Sequence, residues 1–204
     1  AGVNDNHAFL FKFDNQLQPL WAQTIGGYGD DDVYGVALDG NGHLYVVGRS
    51  TSGTVSTNGM SAPNPYEEGG MVAQYDLEGV PQWIRVVGDS IAAWEVEADA
   101  DHVYVMANFT TQLPVEIGND TLQSTGPYQV CLFALGADGT HQWAEGILGT
   151  RTHTGDLAVA SPTDIYVNGM YAFGDAFFGP LDLPMEAQEE TYYTDVFFAR
   201  LHVD

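Results

Sequence analysis

Gly29-Asp30-Asp31-Asp32 comes closest to metal-binding chemistry, because Ca²⁺ takes six to eight oxygens, often from Asp-rich loops. Asp30 and Asp32 are the candidate ligands of such an ion. The stretch lacks the Asp-x-Asp-x-Asp-Gly spacing and distal Glu of an EF-hand, and the competing reading is a turn whose carboxylates cap backbone N–H groups. Zinc has less support: His7, His43, His102, His141, His153 and His202 are scattered, with no HExxH or CxxC pair. Cys131, the single cysteine, sits in Val130-Cys131-Leu132-Phe133 and reads as a buried, inert thiol. No Gly-x-Ser-x-Gly supplies a serine nucleophile. Gly26-Gly27-Tyr28-Gly29 lacks the following helix that would complete a phosphate cradle. Two carboxylates for glycoside cleavage can be picked anywhere among 28 acids, so that criterion selects nothing. The expectation is a protein without a catalytic set and without an obligatory cofactor.

The remaining chemistry is that of a binding surface. Tyr28, Tyr66, Tyr128, Tyr192 and Tyr193 stand outside the regular apolar pattern, next to Asp30, Asp31, Asp32, Glu67 and Glu68. Rings beside acids suit either a protein partner or a glycan, the latter with Ca²⁺ as an aid. The balance of 5 Lys plus Arg against 28 Asp plus Glu gives a formal charge of −23. Such a surface repels phosphate backbones and anionic lipid heads, which excludes nucleic acid and membrane surfaces. No apolar run reaches the roughly 18 residues of a membrane-spanning helix.

These side chains must be positioned by a repeat. Trp21, Trp83 and Trp143 recur at spacings of 62 and 60; Tyr45, Tyr104 and Tyr166 recur at 59 and 62. The text around them is similar: Phe13-Asp14, Tyr75-Asp76 and Leu135-Gly136 each stand just before the Trp, and a Gly follows it at Gly26, Gly88 and Gly149. The closing Val196-Phe197-Phe198-Ala199-Arg200-Leu201 repeats the opening Ala8-Phe9-Leu10-Phe11-Lys12-Phe13. Each unit of about 60 residues reads as four short strands rich in Val, Ile, Phe, Tyr and Trp, joined by turns such as Asp39-Gly40-Asn41-Gly42. Four antiparallel strands per repeat are the mark of a β-propeller blade. The aromatic ladders then read as packing between blades.

The segments His7–Asp14, Trp21-Ala22-Gln23-Thr24-Ile25-Gly26-Gly27 and Val36–Gly48 resemble the SBBP-type β-propeller repeats of large secreted bacterial proteins. The likeness runs through nearly the whole chain, although Ala98-Asp99-Ala100-Asp101 and Ala160-Ser161-Pro162-Thr163 replace the turn motif in the later units. The resemblance implies an all-β propeller fold and a secreted, cell-surface setting, with type IX secretion as a route. It implies no activity, because the family shares no catalytic residues. Asp89-Ser90-Ile91 and Asp120-Thr121-Leu122 also resemble a bacterial O-glycosylation signal at Ser90 and Thr121.

By analogy with such repeats the chain holds one propeller segment over residues 1–204: part of a blade over 7–26, full blades over 33–88 and 93–147, and part of another over 156–202. Two, four, four and three strands fall short of even a four-bladed ring, so the expectation is an incomplete arc of three to three and a half blades. The chain opens at Ala1 without Met, which reads as a processed or trimmed piece. The arc is completed by the remainder of the same propeller or by another chain. Insertions over 50–69, 109–128 and 171–194 fall between the second and third strands, the middle one reading as a small hairpin. In a propeller these loops share one face with the loops that join successive blades, which gathers Asp30–Asp32, Glu67, Glu68, Glu116 and Asp120 on one side, with Arg151 as its base. The leading expectation is a non-enzymatic extracellular scaffold or protein-binding module; the alternative is a lectin-like face.

Overall fold

The computed structural model describes residues 6–111, 113–178, 181–183 and 194–202. Every regular element among them is a strand. β1 (Ala8–Phe13) and β2 (Pro19–Ile25) form an antiparallel pair. β3 (Asp31–Leu38), β4 (His43–Ser50), β7 (Gly69–Asp76) and β8 (Pro81–Asp89) follow as a four-stranded antiparallel meander, with the hairpin β5 (Thr54–Thr57) and β6 (Met60–Pro63) inserted between β4 and β7. β9 (Ile91–Ala98), β10 (His102–Phe109), β13 (Gln129–Gly136) and the first part of β14 (His141–Ser161) repeat the pattern, with β11 (Val115–Ile117) and β12 (Asp120–Leu122) as their inserted hairpin. The hairpin expected over 115–122 is thus present, and the first insertion holds one too. β14 continues without a break into a third sheet with β15 (Asp164–Phe178) and β17 (Thr194–His202), while the far end of β15 pairs with β16 (Leu181–Leu183).

Side chains on a strand alternate between faces, so a strand covered on one face alternates apolar with polar. The central strands β4, β7, β10 and β13 are apolar on both faces because their two sheets are covered on both sides. In β10, Val103, Val105, Ala107 and Phe109 enter the core shared with the preceding sheet, while Tyr104 and Met106 enter the core shared with the following one. β13 divides likewise, with Cys131, Phe133 and Leu135 on one side and Val130, Leu132 and Ala134 on the other. Burial pushes the Cys131 thiol up to about 12, which makes it unreactive at neutral pH. A third core joins Ala8 and Ile25 to Val46, Met71, Ala73 and Tyr75. Each large side chain removed from water in these layers contributes about 1.5–3 kcal/mol.

The tryptophan ladder does more than fill these cores. Trp21 Nε1 donates to Leu77 O at 3.0 Å, and Trp83 Nε1 donates to Ala137 O at 2.9 Å. Each indole therefore staples its own sheet to the turn between the last two strands of the next sheet. Gly79 (φ +81°) and Gly139 (φ +77°) sit in those turns; an added Cβ would come 2.8 Å from the Trp21 ring and 3.0 Å from the Trp83 ring. Trp143 holds the equivalent strand position and is half-buried. Tyr45 and Tyr104 are fully buried, whereas Tyr166 is half-buried and stacks on Phe198.

The first strands of successive units share a further detail. Tyr34 is an extra residue between the pairs Val33–Gly48 and Gly35–Val47. Trp94 is an extra residue between Ala93–Ala107 and Glu95–Met106, and one lies between Thr154–Gly169 and Leu157–Val167. Bulges of this kind interrupt the alternation and re-aim a side chain.

Candidate functional site

The expected binding face is built where β2 turns into β3. β3 begins at Asp31, so Asp31 points inward and Asp32 outward, in keeping with the two-residue period of a strand. Asp31 is buried and accepts from Ser50 Oγ, from Ser52 Oγ at 2.7 Å and from Gly27 N at 2.8 Å. It clips the Gly26-Gly27 loop to the end of β4. The glycines are required there: a Cβ on Gly26 would meet Asp31 Oδ2 and His7 Nδ1, both at 2.7 Å, and one on Gly27 would meet Thr54 O at 2.1 Å. Asp31 is therefore an internal anchor and not a residue of the binding face, a correction to the sequence reading.

The neighbouring acids have other partners. Asp30 Oδ1 accepts from Asn6 Nδ2 at 2.9 Å. Arg49 donates to Asp32 Oδ2 at 3.0 Å and to Glu68 Oε2 at 2.7 Å, tying two of the predicted residues into one network. Burial works against the Arg49 charge, but the Asp32 hydrogen bond and the nearby Tyr34 and Glu68 outweigh it and hold the guanidinium protonated. Arg49 is thus a base beside these acids that the reading with Arg151 alone missed, inside the apolar run 45–50. Asp30 and Asp32, the proposed calcium pair, engage different partners, and among the described residues no group of three His, Cys, Asp or Glu stands together as a metal set.

The other predicted residues do not converge on this point. Tyr28 is highly exposed, Tyr66 is half-buried with its N–H on Asn64 Oδ1, and Glu67 is exposed. Tyr128 belongs to a separate cluster: the Arg151 guanidinium lies 4.9 Å over its ring, His153 stacks on it at 5.8 Å, and Arg151 Nε donates to His153 Nε2 at 3.1 Å. Burial and the Arg151 charge lower the His153 pKa, which keeps that ring neutral and able to accept. Tyr192 and Tyr193 lie outside the described residues. Thr121 is exposed on the β11–β12 hairpin, with its hydroxyl donating to Glu116 at 2.9 Å. Ser90 is half-buried at φ +57°, and its backbone bonds Glu68 O and Thr110 N.

Residues 20–53 match the family model of the SBBP β-propeller repeat. This stretch is similar to one SBBP β-propeller repeat. The match starts one residue before Trp21 and ends just after Ser52, so it holds the Trp21 indole and the whole Asp31 clip, while the indole's acceptor, Leu77 O, lies beyond it. No curated protein matches the chain. Among the described residues no helix is long and apolar enough to cross a membrane.

Four acids of the first strands and their turns give the fold a pH signature. Burial opposes the charge on Asp39 and Asp99, but hydrogen bonds outweigh it, from His43 and Asn41 to the first and from Asp101, His102 and Tyr104 to the second, and both pKa values fall. Glu95 and Glu97 move the other way, through burial first and then the nearby Asp156. A lowered acid contributes stability that is lost as pH falls through its folded pKa; a raised acid loses its contribution as pH rises through its folded pKa. Thermal unfolding should therefore show maximal stability within the ordinary carboxylate range, above the usual Asp value and below the usual Glu value, with a decline on both sides. The Glu95→Gln/Glu97→Gln variant should flatten the decline towards neutral pH. A wild-type maximum at neutral pH would contradict the assignment.

Proposed function

We propose that the chain is a non-enzymatic, extracellular β-propeller segment of a bacterial surface, an incomplete arc whose two end sheets dock against further repeat sheets and so assemble other proteins or the rest of a propeller. The supporting observation is a register equivalence. In β7, Met71, Ala73 and Tyr75 face the preceding sheet and are buried against it; Cys131, Phe133 and Leu135 do so in β13, and Phe197, Ala199 and Leu201 in β17. The same positions of β1 are Phe9, Phe11 and Phe13; Phe9 is 66% exposed and the other two are about half exposed. At the other end, Val196 and Phe198 of β17 hold the positions that face the following sheet, and they are 79% and 69% exposed. Rows of uncovered large apolar side chains mark interaction sites, and stacked repeats need a neighbour on each face. The inserted hairpins and the Arg49 and Arg151 networks furnish the lateral contact surface.

The Phe9→Gln/Phe11→Gln/Phe13→Gln variant tests this reading. Sedimentation of the wild-type chain should show self-association that rises with concentration, as bare end faces find one another. The variant should lose most of that association while its unfolding free energy stays within about 0.5 kcal/mol, as for exposed positions. A wild-type chain that stays monomeric at high concentration would count against it, as would a variant destabilised like a core mutant.

A further inference from the structure

β3 packs against β9, and the bulges described above bring Tyr34 and Trp94 face to face across that junction, with ring centroids 4.0 Å apart and planes 14° apart. Gly35 permits this approach, since a Cβ there would come 2.8 Å from the Trp94 carbonyl oxygen. Each ring gives one face to the other, yet Tyr34 remains 36% and Trp94 37% exposed, unlike Tyr45 and Tyr104 of the buried ladder. The indoles of Trp21 and Trp83 donate to carbonyls of the next sheet, whereas Trp94 Nε1 has no acceptor among the described residues. Polar side chains continue the same surface by direct contact. The Tyr34 hydroxyl donates to Asp32 Oδ2 at 3.2 Å, and Arg49 links Asp32 Oδ2 to Glu68 Oε2. Glu68 lies beside the start of β9, because its carbonyl accepts from Ser90 N at 2.7 Å. The line from Trp94 through Tyr34, Asp32 and Arg49 to Glu68 is therefore unbroken.

This line holds hydrogen-bonding capacity that the protein leaves unused. Asp32 and Glu68 each engage one carboxylate oxygen, and Asp32 Oδ1 and Glu68 Oε1 have no partner among the described residues. The side chains of Asp32, Arg49 and Glu68 are 37%, 32% and 27% exposed, open to a ligand yet held in place by their bonds to one another. Two fixed acceptors and an indole N–H match sugar hydroxyls, each of which both donates and accepts. The open part of the two rings offers apolar surface to the C–H face of a pyranose. Charge selects against the other ligand classes. Arg49 already stands between the two carboxylates, where a cation such as Ca²⁺ would have to sit, and the −23 surface repels anions. A neutral polyhydroxylated ligand meets neither obstacle.

We propose that Tyr34, Trp94, Asp32, Arg49 and Glu68 form a binding site for a neutral glycan that needs no Ca²⁺. This is a function beyond assembly through the end faces, and it uses neither those faces nor the loop tyrosines of the sequence reading. Applied to an array of neutral oligosaccharides of glucose, galactose, mannose and N-acetylglucosamine, the full chain should bind at least one of them, and excess EDTA should leave that binding unchanged. In calorimetric titration with the bound oligosaccharide, affinity should fall at least tenfold in Trp94→Ala and at least threefold in Glu68→Ala. Trp94→Phe, which keeps a ring and loses the N–H, should fall between the wild type and Trp94→Ala. Tyr28→Ala, which removes a highly exposed loop ring, should change affinity less than twofold. Should Trp94→Ala fail to fold, Trp94→Phe and Glu68→Ala decide together. No signal from any neutral oligosaccharide overturns the assignment, as does equal affinity in the Trp94 and Glu68 variants. Loss of binding in EDTA, or binding confined to acidic glycans, overturns it too. The end-face variant should bind the oligosaccharide as the wild type does, and Trp94→Ala should self-associate as the wild type does, so the two readings fail separately.

Discussion

Replacing Trp83 with alanine should destabilise the protein by about 3–5 kcal/mol in urea unfolding, the range for removing a large aromatic from a packed layer. Trp83 is buried between two sheets, donates to Ala137 O and lies under the Arg85 guanidinium at 5.6 Å. Trp83→Phe keeps most of the apolar contact and loses the N–H donor; because Gln74 Nε2 also reaches Ala137 O, that carbonyl is not orphaned and the cost should be about 1–2 kcal/mol. Gly139 provides the internal check. Gly139→Ala carries two penalties, the left-handed backbone at φ +77° and the 3.0 Å approach of its Cβ to the indole. In the Trp83→Ala background the second disappears, so the glycine substitution should cost less there than in the wild type. Strictly additive penalties would mean that the ring does not rest on the turn.

The same residue illustrates what a single sequence conveys about this fold. The spacing of the three tryptophans and three tyrosines reports the repeat because those rings are few and large. Strands buried on both faces also announce themselves as unbroken apolar runs, as in Val130–Leu135. The destination of the indole N–H is invisible in that text, because its acceptor lies 54 residues away, on a turn that approaches only when the next sheet stacks. The binding face was misjudged at Asp31 for a local reason. Three consecutive acids after a glycine read as an exposed turn, whereas the strand already starts at Asp31 and sends alternate carboxylates inward and outward. Ser50 and Ser52, two small donors on alternate positions, were the signal that a buried acceptor faced them. Arg49 was overlooked because it ends an apolar strand, and the Tyr34–Trp94 stack because bulges carry no residue signature of their own. The spacing did hold a hint: Tyr34 stands 11 residues before Tyr45, and Trp94 stands 10 before Tyr104.

Asp31→Ala should cost about 3 kcal/mol, more than any exposed acid of this highly acidic chain. The wild-type carboxylate accepts three hydrogen bonds in a buried position, and alanine removes all of the acceptors at once. The two serine hydroxyls can rotate towards other oxygens, but the Gly27 N–H is fixed by the backbone and is left without its partner. Asp31→Asn preserves the shape while replacing one acceptor oxygen with a donor, so about 1–2 kcal/mol should be lost, with the rotating hydroxyls absorbing part of the change. A double-mutant cycle separates the clip from simple cavity formation. Ser52→Ala should cost about 1 kcal/mol in the wild type and close to nothing in the Asp31→Ala background, because its acceptor is already gone. Native-state hydrogen exchange supplies the local readout: the amides of Gly27 and Ser52 should lose protection in Asp31→Ala, while those of β13, three strands into the next sheet, should change only with global stability. Equal loss of protection at both places would mean that Asp31 supports the whole stack and not the loop that precedes β3.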